Sequence, residues 1–92
     1  MKSAYELAME RLEKSAPAAK VTDEQRAALA EIDSTYKARI AEREVFLQSE
    51  LQKALAANNA HDAEDLRLQL SREVRRLQEE CEGKKAKARG EG

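Results

Sequence analysis

The chain has 92 residues, of which 17 are basic and 18 acidic, for a formal net charge of −1. Ala, Glu, Leu, Arg and Lys supply 58 of them, the alphabet of long helices and coiled coils, while Val, Ile and aromatics supply only eight, which excludes a substantial sheet. One cysteine excludes an intrachain disulfide, no stretch nears the ~20 apolar residues that cross a bilayer, and the first residues lack a leader's apolar run, so a cytoplasmic protein is expected.

Ser3 with Glu6 three residues later reads as a capping box that opens a first helix over about 4–15. Pro17 closes it, because proline lacks an amide hydrogen and disfavours helical geometry in the residue before it. Thr22 with Gln25 is a second box, and Asp23 and Glu24 suit the positive end of a helix dipole. Neither glycine nor proline occurs from there to Ala57, so a helix over 23–57 is predicted, ~52 Å long at ~1.5 Å per residue. Asn58-Asn59 interrupts it, since asparagine tolerates the left-handed backbone that closes a helix. Asn59 then caps a third helix over 60–82, and Gly83 is read as its stop. One helical domain over 1–83 and a disordered, basic polar tail over 84–92 follow.

Apolar spacing says more than the boundaries do. Leu29, Ile32, Tyr36, Ile40, Leu47, Leu51 and Leu55 form one stripe, and Leu29, Ile40 and Leu51 recur every eleven residues. The third helix repeats the period in Ala63 and Val74, Leu66 and Leu77, and Leu70 and Cys81. Eleven residues over three turns is ~3.67 per turn, close to the ~3.6 of a straight helix. The predicted fold is therefore all-α: a short amino-terminal helix and a long, coiled-coil-like antiparallel hairpin whose two stripes face each other. Leu29 and Ile32 overhang the third helix, so Tyr5, Met9 and Leu12 of the first helix are expected to cover them. Val45, Phe46 and Leu68 lie off the stripe and are the candidate interaction surface. A homodimer forming a four-helix arrangement, or a docked partner helix, would use them.

Each candidate for chemistry has a plainer reading. His61 with Glu64 and Asp65 could ligate a metal, but the helix-bundle pattern of Glu-x-x-His on facing helices is absent, and a polar residue at a helix start explains it as well. Cys81 is flanked by Glu79, Glu80 and Glu82, which oppose thiolate formation, and it sits in the stripe as a small hydrophobe. The carboxylates pair with bases three or four residues away, as in Glu50 with Lys53 and Arg75 with Glu79, which suits a solvated helix surface. Phosphate loops, nucleophile elbows and paired Cys-x-x-Cys motifs are missing. No enzyme, cofactor, metal site or small-molecule substrate is therefore expected.

Lys84, Lys85, Lys87 and Arg89 are the candidate basic contact for phosphates. The near-neutral total charge and scarce aromatics count against nucleic acid as a partner. The layout, a capped short helix and a long hairpin ending in Arg76-Leu77-Gln78-Glu79-Glu80-Cys81-Glu82, is loosely similar to the hairpins of periplasmic metal-responsive chaperones, and none of their motifs is matched residue by residue. The expected function is a non-enzymatic, self-associating helical-hairpin interaction or scaffold protein. The alternatives are weak nucleic-acid or ribosome association through the basic end, and a metal-responsive helical protein.

Overall fold

Two long helices lie antiparallel and pack along their length in the computed structural model of the protein, which describes residues 3–8 and 21–91. They are α2, Asp23–Ala56, and α3, Ala60–Ala88. A short helical stretch over residues 4–8, α1, precedes them. The fold is the all-α helical hairpin that the periodicity predicts. None of the helices among the described residues is long and apolar enough to cross a membrane. The predicted end of the first helix, the Pro17 linker, Met9 and Leu12 lie outside the described residues.

The ends of the helices follow from side chains already visible in the sequence. The Glu6 amide donates to Ser3 Oγ at 3.2 Å, the forward half of the first capping box. At the start of α2 both halves form: the Gln25 amide donates to Thr22 Oγ1 at 3.0 Å, and the Thr22 amide donates to Gln25 Oε1 at 2.9 Å. The turn is a Schellman motif with asparagine in the glycine position. Asn58 adopts φ 56°, its amide donates to the Leu55 carbonyl at 3.1 Å, and the Asn59 amide donates to the Ala54 carbonyl at 2.9 Å. Asn59 immediately serves a second purpose, its Oδ1 accepting from the Asp62 amide at 3.1 Å to cap α3. Closing one helix and opening the next with the same residue leaves only Ala57–Asn59 to reverse the chain.

The far end of α3 differs from expectation. The helix does not stop at Gly83 but runs on to Ala88, so residues 84–88 are helical and not a disordered tail. The true stop is Gly90, at φ 83°, where a second Schellman motif places the Gly90 amide on the Lys87 carbonyl at 3.0 Å and the Glu91 amide on the Ala86 carbonyl at 2.9 Å. Gly83 is passed over because the packing stripe continues beyond it. Eleven residues after Val74 and Leu77 come Lys85 and Ala88, both half-buried. Lys85 Nζ reaches Asp33 Oδ1 on α2 at 3.0 Å, tying the extra turns down. A glycine inside a helix costs about 0.5–1 kcal/mol relative to alanine, and a Cβ at Gly83 would meet nothing within 4 Å. Gly83→Ala should therefore stabilise the protein by about that amount in a urea titration. A loss of stability would instead mean that the helix ends there.

The seam consists of Tyr36, Leu47 and Ala54 from α2 and Ala63, Leu77 and Cys81 from α3. Tyr36, Leu77 and Cys81 cluster, with Ile32 and Ile40 packed against them. The register is steady: Arg43 meets Glu73, Tyr36 meets Glu80, and Asp33 meets both Cys81 and Lys85. Two expectations need correction. Leu55 is not the seam residue near the turn but is 42% exposed, and Ala54 occupies that position. Stepping by eleven from Arg43, which does reach into the seam, arrives at Ala54, so the period itself selects the alanine over the larger leucine. Nor does Tyr5 cover Leu29 and Ile32, for it is 74% exposed. Both are half-buried without it, and Ile32 packs against Tyr36, Leu77 and Cys81.

Candidate interaction surfaces

A two-helix hairpin has two broad faces, on either side of the plane through its axes, and two outer edges. The candidate surface residues do not share one of these. Val45 lies two residues from Arg43 and Leu47, and Leu68 two from Leu66 and Leu70. At ~100° per residue, a position two away from the seam on both sides points directly outward. Val45 and Leu68, 70% and 46% exposed, thus occupy opposite edges. Phe46, 52% exposed, lies on a broad face.

That face is largely polar. Arg43 Nη2 lies 3.1 Å from both oxygens of Glu73 and its Nε donates to Oε2 at 3.3 Å, joining the two helices in a forked ion pair. The same guanidinium stands 5.1 Å from the centre of the Phe46 ring. Further along, the Tyr36 hydroxyl donates to Glu80 at 3.5 Å, while Arg39 and Lys84 lie 5.0 and 5.5 Å from the Tyr36 ring centre. These cations stack on aromatic faces, where each contact is worth roughly 0.5–1 kcal/mol. Arg39 and Lys84 are on this face because Tyr36 is, a link invisible to a search for acids three or four residues away.

The opposite face carries a groove of about 530 Å³ that runs from Asp33 to Gln78. A second stretch continues it past Glu44 and Gln78 to Leu70 and Val74. Tyr36, Ile40 and Cys81 contribute apolar atoms to its floor. Lys37 and Glu44 stand along one rim, on α2, and Arg75, Gln78 and Glu82 along the other, on α3. Sequence reading missed the groove, because its floor belongs to the seam and only its rims are distinctive.

At one end of it sits the cluster of Asp33, Cys81 and Lys85. Cys81 Sγ donates to Asp33 Oδ1 at 3.7 Å, and Lys85 bridges Asp33 and Glu82 at 3.0 and 3.5 Å. Burial first, and the Asp33 carboxylate second, push the Cys81 thiol above its ordinary pKa. Its hydrogen bond to Asp33 holds Lys85 protonated, with pKa raised. Cys81 is thus a protonated, poorly nucleophilic seam residue. The flanking glutamates pointed the right way, but the strongest acidic neighbour is Asp33, 48 residues distant in sequence.

The basic candidates are on the last turns of α3 and its cap. Lys85 is committed to Asp33 and Glu82, Arg89 pairs with Glu91 at 3.3 Å, and Lys84 lies over Tyr36. Lys87 is exposed. His61 Nε2 lies 3.4 Å from Asp65 at the hairpin tip, both well exposed. Among the described residues no group of three His, Cys, Asp or Glu side chains is placed to hold a metal ion. Comparison with known proteins gives no family model that matches the chain, and no curated protein or solved structure that matches it.

Proposed function

We propose that this chain is a non-enzymatic helical-hairpin interaction protein that associates with itself. The observation that carries the reading is the imbalance between what the seam encloses and what it leaves in water. Among the described residues the seam buries three large side chains, Tyr36, Leu47 and Leu77, and its other three buried residues are two alanines and a cysteine. Ile40, Leu51, Leu70 and Val74 of the same stripes meanwhile remain only half-buried. A single seam this thin gives little hydrophobic stabilisation, at about 25 cal/mol per Å² buried, and a second layer of helices would supply the shortfall. The basic end supports phosphate binding less well, since Lys85 and Arg89 already have carboxylate partners.

Sedimentation equilibrium from micromolar to submillimolar concentration tests the reading. The apparent mass should climb from the 10.3 kDa of one chain toward twice that value. A monomer throughout, with no helical partner recovered by affinity capture, would overturn it.

A further inference from the structure

We infer that the groove bounded by Lys37 and Glu44 on one side and Arg75 and Glu82 on the other is the surface on which a second copy of this chain docks, face to face, with the two-fold axis parallel to the helices. The inference rests on the self-association proposed above and assigns it to one face and one geometry.

Apolar floor and charged rims together choose the occupant. Ile40 in the floor is flanked on α2 by Lys37 and Glu44, seven residues apart and thus on the same side of the helix. Neither has an ion-pair partner among the described residues. By the register that pairs Asp33 with Lys85 and Arg43 with Glu73, the α3 rim presents Glu82 within a turn of the level of Lys37 and Arg75 within a turn of the level of Glu44. The intrahelical pairs that Glu82 and Arg75 make with Lys85 and Glu79, at 3.5 Å each, are exposed on the carboxylate or guanidinium side and weak enough to exchange, unlike the forked Arg43–Glu73 pair. A lengthwise two-fold lays α2 of one copy along α3 of its partner at that same register. Lys37 then meets the partner's Glu82, and Glu44 the partner's Arg75, each twice by symmetry. All neighbouring helices run antiparallel, as four-helix packing favours. End-for-end stacking that pivots at Glu44 and Gln78, where the two stretches of groove join, would set Glu44 against its own copy and leave Lys37 without an acid. The Phe46 face is the poorer choice, because Arg43 already lies over that ring and is itself held by Glu73.

Sedimentation equilibrium of the full chain, with melting followed by circular dichroism, provides the test in four variants. Lys37→Glu and Glu82→Lys should each weaken the dimer about tenfold, since each replaces two symmetric attractions with repulsions. Their combination should recover wild-type affinity to within about threefold, and Phe46→Glu should leave it unchanged. If wild type dimerises and the groove variants do not alter its dissociation constant, the groove assignment fails while self-association stands. Loss of the dimer in Phe46→Glu would have the same meaning and would place the interface on the other face. A wild-type chain that stays monomeric removes both.

Discussion

Leu47→Asp is expected to abolish the cooperative helical melt, leaving a chain whose circular dichroism declines gradually with temperature. Leu47 is 2% exposed and lies midway along the seam. The register sets Leu70 across from it. Truncation to alanine at such a site costs about 2–5 kcal/mol. Aspartate loses the same contacts and adds a charge to the dry seam, where the nearest base, Arg43 one turn away, is already held by Glu73, so the penalty grows further. A hairpin of this size with one thin seam has a total stability at the low end of the usual ~5–15 kcal/mol, so the substitution exceeds what the fold can lose. Val45→Asp is the matched control. It lies two residues away, 70% exposed on the outer edge of α2, and should shift stability by no more than ~0.5 kcal/mol. Urea titrations of the two variants that came out alike would mean that the seam has been placed on the wrong side of α2.

Much of the hairpin was legible because one period runs through it. Tyr36 and Leu47, then Leu66 and Leu77, then Leu70 and Cys81, stand eleven apart, and every one of these is buried or half-buried. The turn was legible for a local reason: Asn58 supplies left-handed backbone and Asn59 supplies a cap, so two adjacent residues carry the whole reversal. What misled was weighing residues by size and by local signals in place of the period. Leu55 attracts the eye over Ala54, and Gly83 over Gly90, yet the repeat passes through Ala54 and on to Lys85 and Ala88. The contacts between helices that give the faces their character were hidden for a different reason. Arg43 with Glu73, and Asp33 with Cys81 and Lys85, are separated by at least 30 residues, and their meeting depends on the register of the turn. Of the candidate surface, exposure could be guessed residue by residue. That Val45 and Leu68 occupy opposite edges becomes evident only when both are referred to the seam.

Ala63→Leu tests the tip of the hairpin, where the seam is built from alanines. Ala63 is 1% exposed on the first turn of α3, and Ala54 lies at its level on α2. Small side chains there let the two backbones approach closely enough for a three-residue connection to span them. Leucine at position 63 gains helix-neutral apolar volume, and by hydrophobicity alone it would stabilise the protein. Packing decides otherwise: at 1% exposure the site is already closed, and overfilling a closed site typically costs about 1–3 kcal/mol. The added bulk must either splay the tip, breaking the hydrogen bonds that Asn58 and Asn59 donate to Leu55 and Ala54, or push α3 along the seam. Denaturant unfolding should show destabilisation in that range, and hydrogen exchange should quicken at the Asn58 and Asn59 amides before it does near Tyr36. Leu55→Ala, at the exposed neighbour of Ala54, removes a larger side chain yet should cost less, because water already surrounds much of it. The reverse order of effects would restore Leu55 to the seam and shift the register of the whole tip by one residue.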